Sequence, residues 1–283
     1  MRCFFALLAL LLTSGIAQAE DTSRSARLKE LAREFSDPLT TVPQFFLQDA
    51  FAVSNYGTEA QTQRATLRAI VPRIPRFFLL PLPQLIRPSV SLVTVPEGRG
   101  KQTRTELGDS QLIDLFALPW SSRETGLYMG LGPMFVFPTA TDDTAGQNAW
   151  QMGPAFATVY KGAPRFLLGV LIQNPISFAY TSALGHHQPL SALLIQPLLL
   201  MHLWRGFYLK SADATWTISW RDDQPRLFPL SLGLGYILLT ETAPLNFSVS
   251  GEWTTSHEHA PIAPQTTVRF ALTVGFPDWR PWQ

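Results

Sequence analysis

Two histidines near the C-terminus have a spacing that could support metal chemistry. His257 and His259 flank Glu258, and two imidazoles two residues apart on a strand or loop can ligate one zinc or copper ion. No third ligand can be identified in the sequence, and a solvated hairpin tip accounts for the same three residues. We therefore predict no metal site and no cofactor.

A second group of residues resembles the parts of a lipid hydrolase. His186 and His187 precede Ser191, and a serine nucleophile needs a base within hydrogen-bond reach and a third group that orients the base. No recognisable lipase signature surrounds them, and Pro189 lies between the histidines and the serine. We predict no catalytic residues. The hydrolase stays open as an alternative, which a histidine within reach of Ser191 or Ser256 would favour.

Composition narrows the class of protein to which these residues belong. The chain has 283 residues and a formal net charge of +1, whereas nucleic-acid-binding domains are usually strongly basic. Only 15% of the residues are charged, against roughly 25% in an average soluble domain. We therefore expect no nucleic-acid partner and no architecture of long charged helices.

The first residues have the pattern of a secretory signal peptide. Arg2 precedes an apolar run at 4–12, and Ala17-Gln18-Ala19 fits the small-x-small cleavage rule. The run falls short of the ~20 apolar residues that a membrane-spanning helix needs. Cleavage after residue 19 removes Cys3, the only cysteine, so the mature chain has neither a thiol nor a disulfide.

Residues 24–36 have the period of an amphipathic helix. Leu28, Leu31, Ala32 and Phe35 share one face, and charged residues occupy the other. The Asp37-Pro38 pair ends the helix, because the residue before a proline is pushed out of the α region. Residues 20–44 thus form a short helix and a tether.

After the tether the period changes from 3.6 to 2. The clearest segment is 245–253, in which the apolar and polar residues alternate: Leu245, Phe247, Val249 and Trp253 against Asn246, Ser248, Ser250 and Glu252. Segments of this kind are about ten residues long, which exceeds the usual five or six of soluble sheets and matches a tilted membrane strand. Their polar faces carry Gly, Ser, Ala and Thr and few charges, which favours an enclosed lumen over bulk water.

The strands can be counted. Twelve alternating segments, give or take two, lie between residues 45 and 276, and long polar links alternate with short ones, as in outer-membrane barrels. We predict an all-β fold: a transmembrane, antiparallel, up-and-down β-barrel of about twelve strands, preceded by a short N-terminal amphipathic helix. Residues 277–283 form a C-terminal tail.

Three segments depart from this pattern. Residues 73–85 should form a short turn, but they are long, apolar and rich in proline. Residues 190–204 are apolar on both faces, so their inner face must pack against something, either the helix or segment 73–85. In 111–120, Asp114 is in phase with Leu112 and Phe116, which leaves the inward face undecided.

Positions on the inward faces are candidates to line a pore. They are Arg68, Gln151, Asn246, Ser248, Glu252 and Arg269. A filled, hydrogen-bonded interior with no through-path is the alternative. Leu28, Leu31 and Phe35 are the residues through which the helix could act as a plug. Two aspartate pairs, Asp142-Asp143 and Asp222-Asp223, fall on outer loops, where solvation explains them better than Ca²⁺ or Mg²⁺ shared with lipopolysaccharide phosphates.

Taken together, the segments resemble a known family. The matching stretches are 31–51, 87–96, 107–120, 130–143, 150–179, 195–220, 229–238 and 273–277, and "GLGPMFVFPTATDD" at 130–143 is the most specific of them. They are similar to the family named for the meta-pathway of phenol degradation, whose members are often labelled neuromedin U or transporter. The resemblance implies an outer-membrane β-barrel with a transport role. The tail "DWRPWQ" departs from the family, which stops soon after its last aromatic residue.

The functional expectation is passage of a small solute, apolar or aromatic, across the outer membrane after secretion to the periplasm. The expected partners are outer-membrane lipids and lipopolysaccharide, the barrel-assembly machinery and a small-molecule solute of unknown identity. The alternatives are a barrel hydrolase acting on outer-membrane lipid and a non-conducting structural barrel.

Overall fold

The computed structural model describes residues 22–74, 82–97, 101–119, 126–181, 190–211, 214–221, 225–240 and 243–279. The predicted signal peptide, most of the proline-rich segment 73–85, His186, His187 and the pair Asp222-Asp223 lie outside these residues.

One helix precedes the strands: α1, Thr22–Ser36. The strands are β1 Gln44–Tyr56, β2 Thr62–Ile74, β3 Gln84–Pro96, β4 in two segments Thr103–Leu107 and Ser110–Ala117, β5 Leu127–Phe137, β6 Ala149–Tyr160, β7 in two segments Phe166–Gln173 and Ile176–Tyr180, β8 Ala192–His202, β9 in two segments Phe207–Ser211 and Trp216–Ser219, β10 Arg226–Leu238, β11 Leu245–Glu258 and β12 Ala263–Gly275.

These strands form a closed antiparallel barrel of twelve, as predicted. Each strand pairs with its neighbours in the chain, and β1 pairs with β12, where Leu47 lies opposite Leu272. Closure gives every strand two hydrogen-bonding partners, which matters because hydrocarbon cannot satisfy the exposed amides of a sheet edge.

The outer wall is apolar, whereas the inner wall carries both polar and apolar side chains. In β10, Leu232 is 58% exposed, whereas the preceding Ser231 is 8% exposed. In β11, Trp253 and Val249 are exposed, whereas Asn246, Ser250 and Glu252 are buried. Exposed apolar side chains on a closed barrel are those that contact lipid, so the facing predicted from the alternation is confirmed for these strands.

The two ends of the barrel differ. The helix end is the end at which β1 begins and β12 finishes, and the loop end is the opposite one. The longest connections, 138–148 and 181–191, lie at the loop end, and the short connections 161–165 and 203–206 lie at the helix end. The alternation of long and short links holds only in part. At the loop end, 57–61 and 259–262 are also short, and at the helix end 75–83 and 118–126 are long. The link after β4 was predicted to be short.

The hairpin of β11 and β12 is longer than predicted. His257 and Glu258 belong to β11 and not to a loop tip, because the ladder continues to the Arg226–Glu258 pair on β10. The His257 ring stacks on the ring of Tyr56, with their centroids 3.7 Å apart. The strand β4 also begins earlier than predicted, at Thr103. Residues 108–109 interrupt it, so the alternation of its first segment does not continue in phase into the second.

Burial defines the inward faces of β4 and β8. Ile113 and Leu115 are each 2% exposed and face the interior, so Asp114 faces outward, where it accepts a hydrogen bond of 2.7 Å from Nε2 of Gln84. In β8, the inner face packs against α1 through the fully buried Leu200 and the partly buried Leu198. This contact explains why β8 is apolar on both faces.

Candidate functional site

The N-terminal helix lies in the barrel mouth at the helix end. Its apolar face, consisting of Leu28, Leu31, Ala32 and Phe35, is buried. This face packs against inner-wall residues contributed by five successive strands: Val159, Leu167, Leu200, Tyr208 and Ile237. A 15-residue helix is marginal on its own, so the wall supplies the burial that stabilises it.

Glycines in the wall leave room for the helix and its tether. A Cβ atom on Gly275 would lie 2.5 Å from Cε1 of Phe35, and one on Gly130 would lie 2.6 Å from Cδ2 of Leu39. Separations this short are not seen for real Cβ atoms. A side chain at either position would force the Phe35 ring or the Leu39 side chain to shift.

A buried ionic cluster fixes the end of the helix to the turn between β6 and β7. The ammonium of Lys161 in that turn lies 3.0 Å from Oε1 of Glu34 and also contacts Oδ2 of Asp37, whose side chain is 0% exposed. The guanidinium of Arg33 donates a hydrogen bond to the carbonyl oxygen of Ala163 in the same turn. Polar contacts thus hold the end of α1 to the barrel, in addition to the packing of its apolar face.

The two carboxylates share one ammonium, but their pKa values shift in opposite directions. Burial raises the pKa of Asp37 to about 6; the Lys161 charge opposes this rise, and the nearby Glu34 charge adds to it. Burial also disfavours ionised Glu34, but Lys161 and hydrogen bonds from Thr41 and Thr40 outweigh it and lower the pKa of Glu34. Burial disfavours the charge on Lys161, but the two carboxylates outweigh it and raise the pKa of Lys161.

A cavity of about 70 Å³ lies between the C-terminal end of α1 and the wall. Three of the predicted pore-lining residues, Arg68, Asn246 and Ser248, line it together with Phe35 of the predicted plug. The guanidinium carbon of Arg68 lies 4.9 Å from the centroid of the Phe46 ring. Asn246 accepts a hydrogen bond of 2.7 Å from the hydroxyl of Tyr208.

The other three predicted residues lie elsewhere. Glu252 and Arg269 form an ion pair at mid-height on the inner wall, in which Nη2 of Arg269 lies 2.7 Å from each carboxylate oxygen of Glu252. Gln151 is buried near the loop end and hydrogen-bonds Gln147. The six residues therefore occupy three separate places and do not form one ring.

Lys161, Glu34 and Asp37 were not predicted from the sequence as site residues. Lys161 is one of only four lysines in the chain, and its position in a short turn between two barrel strands is the only local signal. Its partner Glu34 is 127 positions away, so closure of the barrel, and not local sequence, brings the pair together.

At the loop end, Asp142 serves to anchor a loop. It contacts the guanidinium of Arg104 on β4 and accepts a 2.8 Å hydrogen bond from the backbone of Thr144. A second residue, Asp109, holds the same loop by accepting a hydrogen bond of 2.7 Å from the backbone N–H of Gln147. Within the described ranges there is no cluster of three or more His, Cys, Asp or Glu that could hold a metal ion.

The hydrolase alternative depended on a histidine near a serine. Among the residues that the structure describes, no histidine hydrogen-bonds Ser191 or Ser256, and His257 instead stacks on Tyr56.

In the part of the chain that the structure describes, no helix has the length and apolar character that crossing a membrane requires.

Comparison with known proteins gives matches in structure but not in sequence. No protein-family model and no curated protein matches the sequence. An outer membrane channel from Pseudomonas putida F1 superposes with a TM-score of 0.50 and 10% identity, over 83% of this chain and 94% of that one. The KdgM porin superposes with a TM-score of 0.49 and 6% identity, over 82% of this chain and 99% of that one. The chain thus shares its fold with the Pseudomonas putida channel.

Proposed function

We propose that this protein is an outer-membrane channel for small solutes, apolar or aromatic, whose mouth is plugged by its own N-terminal helix. The observation that carries the proposal is the burial of Leu28, Leu31 and Phe35 against the inner wall at the helix end. A helix packed in this position would close a channel, and its displacement would open the lumen.

The interior of a barrel this size supports passage of a solute. Side chains fill an eight-stranded barrel, and the diameter grows roughly linearly with strand number, so twelve strands leave space that α1 occupies. With α1 in place, the cavity beneath its C-terminal end measures about 70 Å³, which is room for only a few water molecules. As part of this proposal, α1 moves to let a larger solute pass this point.

The proposed orientation places the helix end in the periplasm. Outer-membrane barrels have short periplasmic turns and longer outer loops, and the longest connections here are at the loop end. The predicted signal peptide, cleaved after residue 19, would direct the chain to the periplasm. From there the barrel-assembly machinery would insert it among outer-membrane lipids and lipopolysaccharide.

We assign the chain to the meta-pathway phenol-degradation family as part of this proposal. The support is the resemblance of segments across nearly the whole mature chain, with 130–143 the most specific. That resemblance supports a transport role, and the barrel fold is compatible with it; we propose no enzymatic activity.

Planar-bilayer recording tests the plug. The mature protein is compared with a variant lacking residues 22–36, at matched insertion and with the heat-modifiable band as the control for folding. We expect a larger open-channel conductance in the variant. Identical conductance would reject the plug, and no conductance in either protein would favour the structural barrel or the lipid hydrolase.

A further inference from the structure

We infer that the outer wall formed by β1 and β2 is an interface at which a second copy of this barrel docks. The inference rests on Asp49 and Gln63, two polar side chains on a face that otherwise contacts lipid. It goes beyond the proposed channel function, which needs only a single barrel and is tested by different measurements.

Asp49 lies on the outer face of β1. In the ladder between β1 and β12 it is directly opposite Phe270, which is exposed on the outer wall. Directly opposite residues of an antiparallel pair point to the same face. The next residue, Ala50, is buried and lies opposite Arg269 of the inner-wall ion pair. The alternation along β1 therefore directs the Asp49 carboxyl away from the lumen.

Asp49 lies inside the apolar band of the outer wall and not at its rim. Two apolar residues precede it on the same face of β1 and two follow it: Phe45, Leu47, Phe51 and Val53. Ionisable side chains at membrane depth are rare, and those that occur are usually paired. A carboxyl group in this position therefore indicates that lipid is not its only neighbour.

Gln63 on β2 is a partner of Asp49 within the chain. Its Nε2 donates a hydrogen bond of 2.7 Å to Oδ1 of Asp49. This bond leaves the second carboxyl oxygen, the amide oxygen and the second amide N–H, and in the described part of the barrel these groups have no other hydrogen-bond partner. Hydrocarbon offers them none.

The polar surface continues across β3 and β4. Gln63 is directly opposite Thr94, and Oγ1 of Thr94 lies 2.8 Å from Oγ1 of Thr105. Thr94 follows the exposed Leu92 by two residues, so it is on the outer face. We call these four polar residues on four successive strands, from Asp49 to Thr105, the polar stripe.

A second copy of the polar stripe is the partner that its chemistry fits. The stripe has both hydrogen-bond donors and oxygen acceptors, so two stripes related by a two-fold axis can exchange hydrogen bonds. In that arrangement the second N–H of Gln63 donates to the carboxyl of Asp49 in the other copy. Ala65, directly opposite Asp49 on β2, has only a methyl group, and small residues let two membrane-embedded surfaces approach closely.

Cysteine cross-linking tests the interface, because the mature chain beginning at Glu20 has no cysteine of its own. Ala65→Cys places a thiol beside the polar stripe. Leu199→Cys is the matched control, since Leu199 is exposed on the outer wall of β8, six strands away around the barrel.

Both full-length mature variants are placed in phospholipid vesicles and treated with a short bismaleimide. We expect several-fold more covalent dimer from Ala65→Cys than from Leu199→Cys, and we expect the excess to persist as the lipid-to-protein ratio is raised. Equal yields, or an excess that disappears on dilution with lipid, would overturn the interface. A dimer that forms only after lipopolysaccharide is added would also overturn it, because the stripe would then bind that lipid.

Substitutions at Asp49 test the chemistry of the interface in the Ala65→Cys background. Asp49→Leu should reduce the yield of covalent dimer to that of Leu199→Cys, because leucine is an ordinary lipid-facing residue. Asp49→Asn keeps a hydrogen-bonding side chain and should keep most of the yield. The heat-modifiable band shows that each variant folds, and Gln63→Leu replaces Asp49→Leu if that variant does not. An undiminished yield in the leucine variant would overturn the role of the polar stripe.

Discussion

The ammonium of Lys161 contacts the fully buried carboxylate of Asp37, and this contact joins the end of the N-terminal helix to a turn between two barrel strands. Glu34 completes the cluster at 3.0 Å from the same ammonium. One cation thus compensates two carboxylates at the barrel mouth, and the position of the proposed plug depends on it.

Lys161→Met should release the helix. Removing one partner of a buried pair costs about 3–5 kcal/mol, and here it leaves two carboxylates without their counter-charge. We expect a higher open probability in planar bilayers and faster trypsin cleavage within α1. Lys101→Met is the control, because the Lys101–Glu59 pair is 81% and 76% exposed and should matter little. Similar gating of the two variants would contradict the anchoring role.

The docked helix should respond to pH between about 4 and 6. The pKa of Asp37 rises from 3.8 to about 6 on burial, so the docked state binds this proton more tightly and docking weakens as pH rises through that window. Glu34 has a lowered pKa, so its ionised form stabilises the docked helix. This stabilisation is fully present above the ordinary pKa of a glutamate, and it is lost as the pH falls through the lowered pKa. Open probability should rise from pH 4.5 to about 6 and then level off. Asp37→Asn should flatten the rise, and an unchanged profile in that variant would exclude Asp37 as the cause.

Charges on the outer wall of the last strand should block insertion. Phe270 faces outward, and Lys or Arg at the midplane of a lipid face costs roughly 2–4 kcal/mol, with Asp somewhat less. Phe270→Asp and Leu272→Asp should therefore lose the heat-modifiable barrel on gels. Ala271→Asp, which places its charge on the inner wall, should lose less, and equal loss in all three would reject the facing of β12.

Breaking the Glu252–Arg269 pair should destabilise the barrel. Glu252 is 5% exposed, so Glu252→Gln leaves the largely buried guanidinium of Arg269 without its carboxylate partner, at a cost of about 3 kcal/mol. We expect a lower urea midpoint of unfolding. Glu258→Gln removes the exposed partner of Arg226, 3.6 Å away, and should cost less than about 1 kcal/mol. Equal midpoints for the two variants would show that the inner pair is fully hydrated.

The strands and their facing were predictable because the membrane acts on each strand separately. Lipid requires an apolar side chain at every second position of each strand, so Val249 and Trp253 identified the outer face of β11 without any knowledge of its neighbours. Closure into twelve strands followed, since an open edge is not tolerated in hydrocarbon.

Only the tertiary structure decided what fills the lumen. The amphipathic face of α1 was visible in the sequence, but its partners, such as Leu200 on β8, come from strands far along the chain. The inward face of β4 was likewise decided by Ile113 and Leu115 and not by Asp114, which pairs with Gln84 outside. Side chains in the lumen pack against whatever closure brings opposite them, and no local periodicity encodes that choice. The sequence by itself therefore determined the wall of this barrel, and long-range packing decided its mouth.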